Sequence, residues 1–300
     1  MKEANRDFYP TMDTHTGHVY KGHTHTGRTR ILQEPAGGTS REGGLSYSTI
    51  SLQGTRNRQE DYLLCGRRND RLIAVVCDGI GGMDNGHIAS RTAAEILFAD
   101  LGKASVTGEE GMHTFFRREM ERLDDAVFSL RDSSGRRMNA GTTVVAVLIC
   151  GDWLYWFSMG DSRLYLLQDR GKRSQGGLHC LTTDHNYGAV LEAGRQAGTI
   201  GETQYWQEAG KKEWLTSYLG MGIAEQFDYG HMLFAGDPGD RLLLCSDGLY
   251  KTVSWEELQK ILQQQTRMDV LSGQLQEAVL RKDDPMQDNA SWIVIGREET

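Results

Sequence analysis

An apolar run that stops on a carboxylate gives the first indication of the fold: it is VVCDGIGGMDNG, residues 75–86. The run has the character of a buried strand, and it ends at Asp78. Four glycines then fall within eight residues, at 79, 81, 82 and 86. Glycine allows close backbone approach and positive φ, so this turn predicts a place where main chain and carboxylate face a bound group.

The composition is ordinary for a globular protein, with 38% hydrophobic and 25% charged residues in a chain of 300. A net charge of −8 argues against a nucleic-acid-binding surface. The five cysteines form no CxxC pair, which favours buried reduced thiols of a cytoplasmic protein over a zinc site or disulfides. The longest apolar stretch is interrupted by Asp152, and the N-terminus has no signal-peptide core, so we expect no membrane span.

The first 44 residues differ from the rest. They hold a THTG repeat at 14–17 and 24–27 and four of the nine histidines. One interpretation is a metal-binding tract; the simpler one is a disordered polar tail, residues 1–44, before a folded domain over 45–297.

The pattern of the domain predicts short strands mixed with two or three helices. Apolar residues at helical spacing predict helices over 86–101 and 112–132. Ser254 and Glu257 form a capping box before a further helical segment. Strands are predicted at 70–78, 141–151, 153–160, 161–169, 240–248 and 288–296. This mixture indicates an α+β fold in which helices cover sheets.

Carboxylates recur where these strands begin or end, at Glu60, Asp61, Asp78, Asp161, Asp247 and Asp288. If the strand ends meet, the carboxylates collect in one place and repel one another unless cations lie between them. Mg²⁺ and Mn²⁺ prefer such oxygen ligands, and two such ions can aim a bridging hydroxide at phosphorus. The alternative is plain turn chemistry, since Asp-Gly pairs are common in turns and any single one is more often a turn than a ligand.

Three other motifs that place glycines near a functional site are not present in the sequence. GIGGMD is not GxGxxG, because Asp84 stands where the third glycine belongs. There is no GxxxxGK[ST], and GDSRL is not a nucleophile elbow because Leu164 replaces the last glycine.

Eight segments, taken in order, resemble the metal-dependent PPM/PP2C family of serine/threonine protein phosphatases in its bacterial form. The resemblance covers about residues 45–295. The segments are GTRNRQEDY, VVCDGIGGMDNGHIAS, NAGTTVVAVLI, FSMGDSRLYLL, LTTDHN, LTSYLGMG, GDRLLLCSDGLYKTVS and DNASWIVI.

The resemblance implies a β-sandwich of two antiparallel sheets flanked by α-helices, with two Mn²⁺ or Mg²⁺ ions in a cleft at one end. It implies that Asp78 bridges the two ions. Asp247 and Asp288 then complete the shell of one ion, and Glu60 with the Gly79 carbonyl completes the other.

Three further roles follow from the resemblance. Asp61 orients metal-bound waters, and Asp161 shares a third ion with Asp247, although Asp161 could simply end a turn. Arg56 grips the substrate phosphate, for which a guanidinium fork is well suited, against the alternative of a surface arginine.

The chain departs from the family pattern at a few positions. Gln59 replaces an asparagine, Ser217 replaces an arginine, and Ile80 stands where animal members carry a histidine. His185 is expected to be structural. The segment 186–216 is expected to form the variable flap beside the cleft.

The sequence therefore predicts a cytoplasmic, monomeric serine/threonine phosphatase that uses a metal-bridging water to dephosphorylate proteins, as the counterpart of a kinase. One alternative is a catalytically weak, phosphate-sensing regulatory module, which the complete ligand set argues against. A more distant one is a two-metal enzyme acting on a small phosphorylated metabolite.

Overall fold

The computed structural model describes residues 44–68, 70–81, 83–104, 108–168, 177–223, 226–234 and 239–297. The tail predicted over 1–44 lies outside these residues, apart from Gly44.

The described residues form two five-stranded sheets in which all neighbouring strands are antiparallel. The first sheet has, in spatial order, β2 (Tyr62–Arg68), β3 (Arg71–Cys77), β4 (Val144–Cys150), β5 (Trp153–Met159) and β8 (Asp228–Leu233). The second has β1 (Leu45–Leu52), β10 (Ala290–Arg297), β9 (Arg241–Cys245), β6 (Arg163–Gln168) and β7 (Gly177–Cys180).

The sheets pack face to face, and β3 shows why its sequence is a continuous apolar run. Leu72, Ala74 and Val76 face the second sheet, where they join one core. Ile73 and Val75 face the opposite way, into a core shared with helices. A strand buried on both faces needs apolar residues at every position, not at alternate ones.

Helices cover both outer faces. The first sheet carries α1 (Gly86–Leu101) and α2 (Gly108–Phe128); the second carries α5 (Asp247–Tyr250), α6 (Trp255–Leu262) and α7 (Met268–Arg281). The 186–216 segment, here called the flap, holds α3 (Tyr187–Gln196), α4 (Glu202–Glu208) and a 3₁₀ turn (Ala209–Lys211). The predicted α+β sandwich flanked by helices is confirmed.

The expectation of two or three helices was wrong, since the described residues contain seven. Two of the helices that were not predicted, α3 and α4, lie in the flap and bury only Leu191. None of the helices in the described ranges is long and apolar enough to cross a membrane.

One end of the sandwich gathers the strand ends from which the carboxylates come. In the first sheet Tyr62 pairs with Cys77, so residues 61 and 78 flank the same pair. In the second sheet Trp292 and Arg163 both pair with Cys245, which brings residues 161, 247 and 288 to the corresponding end.

Candidate metal centre

Asp78 interacts electrostatically with carboxylates contributed by both sheets. Burial, followed by repulsion from Asp61, Asp247, Asp161 and Asp288, raises its pKa well above the usual range. Like charges held this close destabilise one another, so the group calls for protons or cations between its members. Four of the predicted carboxylates therefore act on Asp78, and Glu60 is related to them through Asp288.

The backbone of Asp78 is fixed by the NAGTT segment. The Thr142 hydroxyl donates to the Asp78 carbonyl at 2.9 Å, and the Thr143 backbone N–H donates to the same oxygen at 2.9 Å. The Asp78 N–H in turn donates to Oγ1 of Thr143 at 3.2 Å. These bonds fix Asp78 through its main-chain groups and do not involve its carboxylate.

The glycines after Asp78 are required by close approach. A Cβ on Gly79 would lie 2.5 Å from the carbonyl of Gly86 and 2.7 Å from that of Glu60. Here the end of β3, the start of α1 and the Glu60 loop meet backbone to backbone. None of Gly79, Gly81 and Gly86 has a positive φ, so the other half of the glycine prediction does not hold for these three.

Asn289 holds the loop that carries Arg56 and Glu60. Its Oδ1 accepts from the Glu60 N–H at 2.8 Å, and its Nδ2 donates to the carbonyls of Gln53 at 2.7 Å and Arg58 at 3.0 Å. The sequence interpretation gave Asn289 no role. The signal was an amide just before an apolar strand, where a buried polar side chain must find partners.

Asp61 supplies the test of whether the group suits cations. Its Oδ2 accepts from the Ser246 hydroxyl at 2.8 Å, whereas its Oδ1 is buried and has no hydrogen-bond donor in the described part of the chain. Burial raises the pKa of Asp61 to about 7, although the hydrogen bond from Ser246 opposes the rise. A buried carboxylate oxygen without a donor is costly, and an all-oxygen donor set fits Mg²⁺ or Mn²⁺.

Arg56 reaches the edge of the group. Its guanidinium donates to Oδ2 of Asp288 at 2.6 Å, and both side chains are about half exposed. The pair places a cationic fork beside the carboxylates, at the solvent side, where a phosphate oxygen could replace the Asp288 oxygen.

A second set of carboxylates adjoins the first: ligand atoms of Asp161, Glu213 and Asp247 lie within 4.8 Å of one another. The Nζ of Lys251 lies 2.7 Å from Oδ2 of Asp247 and 4.0 Å from Oδ2 of Asp161, and it also contacts the Glu213 carboxylate.

Burial followed by repulsion from Asp247 raises the pKa of Asp161 to about 7. Burial alone would lower the pKa of Lys251, but Asp247 and Glu213 outweigh it and hold the pKa above its ordinary value. The ammonium is therefore charged at neutral pH. The sequence interpretation missed both Glu213 and Lys251.

Two further residues singled out in the sequence, His185 and the departure Ser217, have structural explanations. Nδ1 of His185 accepts from the Gly160 N–H at 3.1 Å, and Nε2 lies 3.6 Å from Asp228, which agrees with the structural role expected for His185. Ser217 is buried, and its hydroxyl donates to the Gln226 carbonyl at 2.7 Å, so it anchors its own segment.

The family model described as Protein phosphatase 2C matches residues 52–282. The chain belongs to the protein phosphatase 2C family. The serine/threonine phosphatase Stp of Listeria welshimeri is 29% identical over 198 residues, which are 65% of this chain and 73% of that protein.

Solved structures agree with the family. The serine/threonine phosphatase PstP/Ppp of Mycobacterium tuberculosis is 27% identical, with a TM-score of 0.65, over 85% of this chain and 99% of that one. Another structure, of the PstP catalytic domain in complex with two manganese ions, is 26% identical over the same shares, also with a TM-score of 0.65.

The resemblance inferred from the eight segments is thereby confirmed, and so are the phosphatase 2C fold and a phosphatase activity. Nothing among these relatives supports the alternative of a regulatory module.

Proposed function

We propose that this phosphatase 2C chain removes phosphate from phosphoserine and phosphothreonine in proteins, with two Mn²⁺ or Mg²⁺ ions as cofactors. The observation that carries the proposal is the gathering of carboxylates from both sheets around Asp78. The relatives named as serine/threonine phosphatases support the substrate class. The proposed substrates are targets of a serine/threonine kinase, and the proposed location is the cytoplasm, where the chain acts as a monomer.

Asp78 would hold both core ions, Asp247 and Asp288 would complete the shell of one, and Glu60 with the Gly79 carbonyl that of the other. When bound, the ions would supply Lewis-acid chemistry by lowering the pKa of water and neutralising phosphate oxygens. In this assignment the side chains of Glu60, Asp78, Asp247 and Asp288 are all ligands of the two core ions.

The remaining side chains position and bind. Arg56 exchanges its Asp288 partner for two oxygens of the substrate phosphate. Asp61, oriented by Ser246, offers its free oxygen as an acceptor to water entering the site. Asp161 with Asp247 would hold a third, weaker ion.

The proposal is tested by phosphate release from a phosphothreonine peptide with and without Mn²⁺. We expect turnover that requires the metal and is lost in Asp78→Asn. A phosphotyrosine peptide and a phosphorylated sugar serve as competing substrates. Faster turnover of the sugar would favour a metabolite phosphatase, and metal-independent turnover would contradict the proposed centre.

A further inference from the structure

Lys251 reaches the second carboxylate set because it is the residue that caps the C-terminal end of α5. It lies four residues after Asp247, and side chains on a helix lean toward its N-terminus, so the stem folds back over Asp247. The Lys251 side chain is 38% exposed, whereas that of Asp161 is 6% exposed. The ammonium thus enters the set from its solvent side and faces carboxylates at the inner end.

The oxygens that surround this ammonium are the same ones that a third divalent cation would need. Asp161, Glu213 and Asp247 offer one ligand atom each within 4.8 Å. Two cations a few ångströms apart repel each other strongly where solvent is partly excluded. The ammonium and a divalent ion need the same carboxylate oxygens, so binding of one at the set disfavours binding of the other.

The same lysine connects the core to the flap. Glu213 is 66% exposed and follows the 3₁₀ turn Ala209–Lys211, so its side chain reaches inward across solvent to meet Lys251. The backbone on either side of Glu213 is also held, because the N–H groups of Tyr187 and Gly188 donate to the carbonyls of Trp214 and Lys212 at 2.8 and 2.9 Å. Removal of the ammonium would leave Glu213 without its partner at the end of α5.

We propose that the ammonium of Lys251 is a built-in occupant of the Asp161–Glu213–Asp247 set, that it competes with a third divalent cation, and that it positions the flap through Glu213. The proposal rests on the proposed function, because it takes the two core ions as given. It assigns Lys251 a positioning role, and it predicts that a third ion binds weakly to this chain.

Calorimetric titration of metal-free protein with Mn²⁺ tests the competition. We expect Lys251→Gln to bind a third ion about tenfold or more tightly than wild type, because one positive charge is gone. Lys260→Gln, an exposed lysine on α6, is the matched control and should leave every site unchanged. Equal affinity of the third ion in wild type and Lys251→Gln would overturn the proposal. Absence of the two core sites in wild type would instead overturn the proposed function.

Hydrogen–deuterium exchange of metal-free protein tests the link to the flap. Lys251→Gln and Glu213→Gln should both speed amide exchange in residues 202–216 several-fold and leave α7 unchanged, whereas Lys251→Arg should restore slow exchange. Glu213 is exposed, so its variant keeps the test valid even if Lys251→Gln folds poorly. Unaltered exchange in the Glu213→Gln flap would show that the contact does not hold it.

Discussion

The Arg56 guanidinium donates to Asp288 Oδ2 at 2.6 Å, so the proposed phosphate-binding group is paired with a proposed cation ligand. Both side chains are about half exposed, and such a pair adds little to stability. The pair matters for function because a phosphate that binds Arg56, or a cation that binds Asp288, would break the contact between the two side chains.

Arg56→Ala is expected to weaken phosphate binding with little change in Tm. We expect KM for a phosphopeptide and Ki for inorganic phosphate to rise about tenfold or more, because a charge-assisted fork is lost. Steady-state kinetics with phosphate as inhibitor measures both. An unchanged Ki would place the phosphate elsewhere.

Asp78→Asn should have opposite effects on activity and on stability without metal. Turnover in Mn²⁺ should fall by about 10³ or more, since a neutral amide is a poor ligand between two cations. In EDTA at pH 8 the variant should melt at a higher temperature than wild type, because it removes a buried charge repelled by its neighbours. Asp125→Asn, an exposed position on α2, is the control and should change neither value. Wild-type turnover in folded Asp78→Asn would refute its bridging role.

Stability without metal should depend on pH through Asp61 and Asp161. Their pKa values are raised from 3.8 to about 7, so the folded state binds these protons more tightly than the unfolded state does. Their contribution to stability is therefore greatest below pH 3.8, decreases as pH rises, and levels off above about 7.

Melting curves in EDTA from pH 5 to 8 measure this trend. We expect Mn²⁺ to raise Tm more at pH 8 than at pH 5, since the cation replaces protons that are still bound at pH 5. A larger rise at pH 5 would show that these carboxyls do not take up the metal.

Asn289→Ala should impair the metal centre indirectly, by loosening the loop that carries Arg56 and Glu60. It removes three hydrogen bonds that hold the loop of Arg56 and Glu60. Each buried group left without a partner lowers the free energy of unfolding by at most about 1–3 kcal/mol. We expect lower Tm and weaker binding of the ion held by Glu60, measured by denaturation and calorimetry. Normal Mn²⁺ affinity would show that the loop keeps its form without the amide.

Deletion of residues 1–44 should leave turnover of p-nitrophenyl phosphate nearly unchanged. Leu45 pairs with Arg297 at the end of β1 remote from the metal centre, and eight strand residues span about 24 Å. A large loss of kcat would mean that the tail belongs to the catalytic unit.

The strand-end carboxylates could be predicted because burial on both faces makes β3 and β9 continuous apolar runs, and a charge at such a boundary is conspicuous. The order of the eight segments then supplied the family and the sandwich. The pattern of VVCDG alone could not choose between a turn and a ligand, since that choice depends on what the other sheet brings near Asp78.

Lys251 and Glu213 could not be predicted in the same way. They are 38 positions apart in the sequence, and only the fold brings the end of the flap to the residue after α5. Asn289 was next to a recognised aspartate, yet its role depends on three backbone groups in a loop more than 200 residues earlier. Long-range contacts of this kind leave no local periodicity.

The proposed ligands are divided between the sheets: Glu60 and Asp78 belong to the first, and Asp247 and Asp288 to the second. Bound ions would therefore link the two sheets at one end, where carboxylates replace the apolar side chains of the core. Removal of the ions by a chelator is expected to let the two sheets separate at that end, while the apolar core keeps them packed at the other. Binding of the cations would then both enable catalysis and stabilise the packing of the two sheets at this end.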